Sequence, residues 1–354
     1  MSVGFVAVQW SRHKRVYDSV AIGGVLAYLG VFVFTHKLIE PVDRATSDEI
    51  VVMRALGSCA IILLHVILCI GPLARFFPVL LPVLSNRRHL GVLTFLIALA
   101  HGVLSLVYYH GFGNVDPLNS LLSTAPGITE VRTFPFQLLG LAALVIMFLL
   151  AATSHDVWLS VLSPRVWKGL HMLVYLAYAL VVAHVAFGAV RGTVSLIPGV
   201  LLSLGVLSVC GLHIAGALRE SRDDRGKAAD EQGWLDAGAC ESFTPARAKT
   251  VCTPEGERIA IFNHNGAFHA VHNVCKHQGG PLGEGKIIDG CITCPWHGWQ
   301  YKPEDGCSPP PFTEQVRTYS VRIVAGRVQV QAAAQQPEPG KADPNDQALE
   351  VRHG

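Results

Sequence analysis

The 354-residue chain has a mean hydropathy of +0.39 and only 15% charged residues, which excludes an ordinary soluble enzyme of this size. Its formal net charge of +2 gives no strong basic field, so no nucleic-acid partner is expected. Residues 1–218 contain 13 Lys or Arg and 8 Asp or Glu, about 10% of that segment, whereas residues 219–354 contain 15 and 18, about 24%. The sequence therefore predicts two unlike parts that join near Leu218.

The first part, residues 1–218, contains six apolar runs of the length that a bilayer core of about 30 Å requires. They predict transmembrane helices at residues 19–36, 51–71, 90–109, 136–152, 169–190 and 194–218. The first run lies too deep in the chain for a signal peptide, and no small-residue cleavage site follows it, so we interpret it as a retained helix. We expect a six-helix transmembrane α bundle in a lipid bilayer.

Loop charges predict the orientation of this bundle. With the N-terminus inside, the inner segments contain twelve Lys or Arg residues and the outer segments contain five. Short loops rich in Lys and Arg stay on the cytoplasmic side. We therefore expect a multi-pass protein of the inner (plasma) membrane with both termini in the cytoplasm.

Histidines in the predicted bundle are candidate functional residues, because an ionisable side chain at membrane depth is costly. His65 lies in the second run, His101 in the third, and His171 and His184 in the fifth. The last two are separated by about 20 Å of helix, which suits two stacked redox centres. His101 and His184 share a level and can ligate one haem b, while the partner of His171 would be His65 or His89. Each can instead be a polar side chain that is hydrogen-bonded within the bundle.

Four short motifs in this part are residues 54–57 (RALG), 71–75 (GPLAR), 87–91 (RRHLG) with His101 downstream, and 167–171 (WKGLH) with His184 downstream. They resemble the ferric-reductase-like transmembrane family, which includes NADPH oxidases, ferric reductases and the haem-binding subunit of a bacterial methionine sulfoxide reductase system. The resemblance implies haem ligands on the third and fifth helices, which match His101, His171 and His184. Arg88 and Arg87 stand where a further histidine is expected, so one or two haems b are implied.

The second part contains a compact, strand-rich segment. Residues 219–232 predict a charged linker, and residues 332–354, rich in Gln, Pro, Ala and Asp, predict a disordered tail. Between them, residues 233–331 contain short alternating runs, such as 258–262 and 327–330, separated by Gly, Asn and Pro turns. We expect a small all-β domain here.

A metal-binding motif lies within this β domain. Cys275-Lys276-His277 is followed, after sixteen residues, by Cys294-Pro295-Trp296-His297. Two thiolates and two imidazoles suit a 2Fe-2S cluster in which one iron has two Cys ligands and the other has two His ligands. The same four side chains, Cys275, His277, Cys294 and His297, also form a zinc ligand set.

Residues 273–285 and 294–299 resemble the Rieske family, and most closely the soluble Rieske ferredoxins of aromatic dioxygenase systems. The resemblance favours the Rieske-type 2Fe-2S cluster over zinc. Rieske proteins of respiratory complexes have two further cysteines, a serine and a tyrosine around the cluster. Here the corresponding positions are Gly280, Trp296, Trp299 and Tyr301. With fewer hydrogen bonds to sulfur, we expect a low, ferredoxin-like potential that Tyr301 raises somewhat.

The remaining cysteines and histidines have simpler interpretations. The cysteine spacing excludes a disulfide scaffold, so we expect small apolar residues in helices and free thiols elsewhere. We expect His264, His269 and His272 to be surface residues rather than ligands.

Ferric reductases and NADPH oxidases follow the membrane part with flavin and nicotinamide domains, whereas this chain has a Rieske-like domain there. We therefore expect an electron-transfer component of the oxidoreductase class without acid–base catalytic residues. A cytosolic reductase or ferredoxin would reduce the cluster, and electrons would pass to haem at His171 and then at His101 and His184. The acceptor would be ferric iron, oxygen or a periplasmic redox partner. Two alternatives are a haem-free membrane anchor for a ferredoxin that serves an oxygenase, and a redox sensor.

Overall fold

The computed structural model describes residues 12–39, 46–80, 83–84, 86–123, 136–154, 158, 162, 164–190, 196–223, 229–277, 279–296 and 298–333. The chain divides into two compact units between Ala217 and Leu218, the first helical and the second built mainly of strands. Most of the predicted tail, residues 334–354, and part of the predicted linker, residues 224–228, lie outside the described residues.

The first unit contains long apolar helices, as the sequence predicts. In chain order they are α1 Arg12–Ile39, α2 Asp48–Phe76, α3 Arg87–His110, the short α4 Pro117–Ser123, α5 Phe136–Ala152, α6 Pro164–His171, α7 Leu173–Val185 and α8 Ile197–Asp223. Large apolar side chains such as Val20, Phe34 and Leu207 are exposed on their outer faces. This arrangement suits a lipid solvent, in which the helices satisfy their own backbone hydrogen bonds.

The count of six membrane-spanning helices needs a correction. Among the described residues, five helices are long and apolar enough to cross a membrane: Lys14–Ile39, Asp48–Phe76, Arg87–His110, Val166–Val190 and Ile197–Ser221. The remaining predicted helix, the fourth in chain order, is α5, which has the predicted bounds but only 17 residues. At 1.5 Å per residue it covers about 25 Å, which is less than a typical bilayer core. The predicted class, a multi-pass helical membrane domain followed by a small β domain, is confirmed.

The fifth predicted helix is not a single regular helix. It consists of α6 and α7, which adjoin at Met172 with helical backbone angles (φ −67°, ψ −18°), and a π-helical segment, Ala186–Val190, follows directly after α7. π-helical turns of this kind often occur at functional sites. Here the turn begins two residues after His184.

The second unit consists of three small antiparallel sheets. Its strands are β1 Trp234–Ala239, β2 Ala248–Cys252, β3 Arg258–His264, β4 Ala267–His272, β5 Lys286–Ile288, β6 Cys291–Thr293, β7 Gln300–Tyr301, β8 Thr318–Tyr319, β9 Val321–Val324 and β10 Arg327–Gln331. The sheet orders are β1-β10-β9, β2-β3-β4-β8 and β5-β6-β7.

Strand β3 separates two apolar cores. Ile259 and Ile261 contribute to one core, while Ala260 and Phe262 contribute to the other, and all four are fully buried. Because alternate residues of a strand point to opposite faces, a strand with cores on both sides has an unbroken apolar sequence. The second core also contains both cysteines of the predicted metal motif.

Candidate functional site

The first candidate site lies where two loops of the β unit meet. The first loop follows β4, and its Cys275 backbone N–H donates to the Gly280 carbonyl at 2.9 Å. The Gly279 N–H in turn donates to the Cys275 carbonyl at 2.7 Å. Gly279 has a φ of +73°, a conformation that favours glycine. These bonds fold the loop tightly around the Cys275 side chain.

The second loop, between β6 and β7, repeats this hydrogen-bond pattern. The Cys294 N–H donates to the Trp299 carbonyl at 2.8 Å, and the Gly298 N–H donates to the Cys294 carbonyl at 2.9 Å. Gly298 also has a φ of +73°. Both cysteines are only 2% exposed. The two loops therefore present two buried thiols from equivalent backbone positions.

The loops touch each other at Gly280. A Cβ atom on this residue would lie 2.7 Å from Cys294 Sγ and 3.1 Å from the Trp296 ring. A larger residue at this position would force the loops apart. The absence of a side chain at Gly280 thus allows the two cysteine loops to close on one site.

His277 is held against the second loop by an aromatic contact. Its ring stacks on Trp299 with the centroids 4.3 Å apart and the planes at 8°. Trp299 is itself fixed, since its indole N–H donates to Ser308 Oγ at 3.0 Å. His297, the fourth residue of the predicted ligand set, lies outside the described residues. The structure thus brings three of the four predicted side chains to the meeting point of the loops.

Tyr301 contacts this site from β7. Its hydroxyl lies 3.3 Å from Cys275 Sγ and accepts a hydrogen bond from the Lys276 backbone N–H at 3.0 Å. Burial, followed by the nearby Cys275, raises the pKa of Tyr301, so that the phenol stays protonated. A protonated phenol at this distance can donate to the cysteine sulfur.

The second candidate site lies in the membrane unit and contains His101 and His184. His101 Nδ1 donates to the Met53 carbonyl at 2.9 Å, and His184 Nδ1 donates to the Phe136 carbonyl at 2.8 Å. A proton on Nδ1 leaves the lone pair of Nε2 for a metal. The two ring centroids are 6.3 Å apart.

This spacing fits coordination of one metal by both histidines. Two imidazoles on opposite sides of a metal, with bonds of about 2 Å each, have ring centroids roughly 6 Å apart. The donor chemistry also agrees, because imidazole is a common axial ligand of haem iron. His101 and His184 therefore fit a bis-histidine haem.

Glycines on neighbouring helices make room for both rings. A Cβ atom on Gly57 would lie 2.9 Å from His101 Cε1, and one on Gly140 would lie 2.8 Å from His184 Nδ1. Each glycine follows by four residues the carbonyl that the histidine contacts, Met53 in α2 and Phe136 in α5. The absence of a side chain one turn later thus opens the carbonyl to the imidazole. The role of these two glycines was not predicted from the sequence, although glycines in apolar helices often indicate close packing.

The other predicted histidines occupy separate positions. His171 Nδ1 lies 3.0 Å from the Trp167 carbonyl, and the two rings stack at 3.9 Å. His65 packs edge-on against Tyr178, and a Cβ atom on Gly205 would clash with its Nε2. Within the described residues, the Nε2 atoms of His65 and His171 are buried without a hydrogen-bond partner.

The structure does not pair His171 as it pairs His101. Within the described part of the chain, no ring contact joins His171 to His65. His89, the other predicted partner, lies 2.8 Å from an Asp18 carboxylate oxygen on α1. This hydrogen bond explains a histidine at that position without a metal.

Comparisons with known proteins address both units. Residues 233–320 match the Rieske 2Fe-2S domain, and residues 56–182 match the ferric reductase like transmembrane component. The anthranilate 1,2-dioxygenase ferredoxin subunit of Burkholderia cepacia is 36% identical over 101 residues, covering 27% of this chain and 90% of the relative. The cholesterol 7-desaturase of Xenopus laevis is 35% identical over 91 residues, 25% of this chain but only 20% of the relative.

The membrane unit has its own relative. The heme-binding subunit of the protein-methionine-sulfoxide reductase of Ralstonia nicotianae is 32% identical over 133 residues, covering 38% of this chain and 56% of the relative. Both predicted resemblances are confirmed, and the Rieske domain supports a 2Fe-2S cluster. The chain belongs to the Rieske family through residues 233–320, and it joins this domain to a ferric-reductase-like transmembrane domain at residues 56–182.

Proposed function

We propose that this protein is a membrane-bound oxidoreductase component that passes electrons between a Rieske cluster and haem b in the helical bundle. The observation that carries this proposal is the pairing of His101 and His184, whose rings are 6.3 Å apart and whose Nδ1 atoms are both held by backbone carbonyls. This arrangement occurs in the same chain as a Rieske domain. The 2Fe-2S cluster and haem b, when bound, each accept and release single electrons.

We assign Cys275, His277, Cys294 and His297 as the cluster ligands. Two buried cysteines from equivalent loop positions, and a histidine ring fixed against Trp299, support this assignment. His297 is included as the fourth ligand because it completes the Cys-x-x-His motif that begins at Cys294. The mixed Cys and His ligand set is that of a Rieske 2Fe-2S centre.

We assign His101 and His184 as the residues that would hold haem b. We assign His65 and His171 to a second haem, because each has a buried Nε2 without a hydrogen-bond partner within the described residues. They are the weaker pair, since each contacts its own aromatic neighbour and the structure gives no ring contact between them in its described part.

The proposed direction runs from the cytosol outward. A cytosolic reductase or ferredoxin would reduce the Rieske domain, and the membrane domain would deliver electrons to ferric iron, oxygen or a periplasmic redox partner. The similarity to a dioxygenase ferredoxin subunit supports a soluble redox partner on the Rieske side. The similarity to a heme-binding subunit supports haem in the bundle. The excess of Lys and Arg in alternate loops supports cytoplasmic termini in the inner membrane.

The absorption spectrum of the purified, full-length protein tests this function. We expect haem α and β bands after reduction with dithionite, together with the Rieske signal in electron paramagnetic resonance. A Rieske signal without haem bands would refute electron transfer through the bundle. That result would instead support a membrane-anchored ferredoxin that serves an oxygenase.

Substitution of Tyr301 by Phe should lower the reduction potential of the cluster. The Tyr301 hydroxyl lies 3.3 Å from Cys275 Sγ, and a bond to this sulfur favours the more negative, reduced state. A hydrogen bond with a net contribution of about 1–2 kcal/mol corresponds to about 40–90 mV for a one-electron centre. A redox titration followed by electron paramagnetic resonance measures this shift.

Tyr319→Phe provides the matched control. Tyr319 is also buried in the β unit, but its hydroxyl lies 3.5 Å from His272 Nδ1 and not at a cysteine sulfur. We expect the potential of this variant to equal that of the wild type. Equal potentials in the Tyr301 and Tyr319 variants would contradict the assigned role of Tyr301.

Substitution of Gly140 by Ala should weaken haem binding. The new Cβ atom would lie 2.8 Å from His184 Nδ1, so the ring would have to move away from the Phe136 carbonyl. Loss of such a supporting contact typically weakens metal binding by about 10–100-fold. Haem retained per chain after purification measures the effect. Gly91→Ala is the control, because nothing lies within 4 Å of its Cβ position, and a similar haem loss there would oppose the proposal.

A further inference from the structure

A second group of potential metal ligands lies on the Rieske domain, outside the two cysteine loops. His264, His269 and Glu304 each offer one ligand atom, and these atoms all lie within 4.8 Å of one another. The two imidazole centroids are 6.3 Å apart. From the sequence, both histidines are expected to be surface residues rather than ligands, whereas the structure brings them together with a carboxylate.

The β3–β4 hairpin explains how the two histidines meet. Phe262 pairs with His269, and His264 pairs with Ala267, so the two histidines are diagonal neighbours on the same face of the sheet. Asn265 and Gly266 close the hairpin with φ values of +54° and +87°. A two-residue turn with two positive φ angles fixes the strand register. The imidazoles are thus held by regular structure and not by a long loop.

Glu304 completes the group from the segment that follows β7. Its side chain is exposed, whereas both histidines are partly buried. Burial lowers the pKa of His269, although the charge of Glu304 acts in the opposite direction. A lowered pKa favours the neutral imidazole at neutral pH, which is the form that binds metal ions.

We propose that His264, His269 and Glu304 bind one divalent transition-metal ion of the zinc class. Two imidazole nitrogens and one carboxylate oxygen form a zinc ligand set that leaves a fourth position open to water or an external ligand. Ligand atoms at 2.0–2.2 Å from a tetrahedral metal lie roughly 3.4 Å apart, so small side-chain rotations close the site from its present spacing. The absence of a thiolate among the three distinguishes this ligand set from the cysteine-containing cluster motif.

Zinc titration of the full-length protein, with its cluster in place, tests the proposal. After dialysis against a chelator that leaves the Rieske signal unchanged, we expect one Zn²⁺ to bind per chain. Zinc-edge X-ray absorption is insensitive to iron and identifies the ligands. We expect nitrogen and oxygen at about 2.0–2.1 Å with imidazole scattering, and no sulfur at about 2.3 Å. A sulfur shell would place the zinc in the cysteine loops and overturn the proposal.

Variants locate the site. We expect His264→Gln and Glu304→Gln to weaken zinc binding at least about tenfold, since even supporting residues of metal sites have effects of this size. His272→Gln is the control, because His272 lies on β4 with His269 but contacts Glu257 at 3.0 Å. Glu304 is exposed, so its variant decides the question even if the histidine variant does not fold. Wild-type affinity in Glu304→Gln would overturn the proposal.

Discussion

Substitution of Cys294 by Ser should abolish the Rieske signal of the purified protein. Cys294 is buried, and its sulfur lies where the two ligand loops touch at Gly280. Loss of one of two thiolate ligands removes the donor set that a Cys₂His₂ cluster requires. Electron paramagnetic resonance and iron and sulfide quantification measure the loss. We expect the haem bands to persist, because the histidines assigned to haem lie on other elements.

Cys291→Ser is the matched control for this experiment. Cys291 lies only three residues earlier, at the start of β6, but outside the ligand motif. It should retain the full cluster content. A Cys294→Ser protein that keeps the wild-type signal, or a Cys291→Ser protein that loses it, would contradict the ligand assignment.

Substitution of His184 by Ala should reduce the haem content to background. Its Nε2 is available as a ligand because Nδ1 is engaged with the Phe136 carbonyl, and its ring centroid lies 6.3 Å from that of His101. Without His184, only His101 of this pair would be left to hold the haem. Pyridine haemochrome quantification per chain gives the result. If a second haem is bound elsewhere, the content should fall by one haem per chain.

His213→Ala controls for the general effect of removing a histidine from the membrane unit. The His213 Nε2 atom is already engaged, since it lies 3.1 Å from the Tyr175 hydroxyl. This variant should retain the wild-type haem content. Equal haem losses in the two variants would show that His184 acts through helix packing and not through coordination.

The helix positions could be predicted because each apolar run is long and bounded by polar or charged residues. α5 begins and ends where the sequence predicts. The π-helical segment after His184 could not be predicted, because residues 169–190 form one continuous apolar run without proline. Helix packing, and not local sequence, determines such irregularities.

The meeting of the two cysteine loops could be predicted, because the candidate ligands are close in sequence and residues 233–320 match the Rieske domain. Contacts between distant elements could not be predicted. The hydrogen bond of His89 with Asp18 joins residues 71 positions apart. Similarly, Gly57 and Gly140 accommodate histidines on other helices. The group of His264, His269 and Glu304 depends on how the β7 segment meets the β3–β4 hairpin. Such contacts depend on tertiary packing, which local patterns do not encode.

Electron transfer from the Rieske domain to the bundle is the central claim, and anaerobic mixing experiments test it most directly. Wild-type protein and Cys294→Ser, each in lipid nanodiscs, are mixed with NADH and a ferredoxin reductase of an aromatic dioxygenase system. Rapid-freeze electron paramagnetic resonance follows the cluster, and stopped-flow absorption follows the haem. We expect the cluster to be reduced before the haem in the wild type, and the haem of Cys294→Ser to remain oxidised. Haem reduction at equal rates in both proteins would contradict the account.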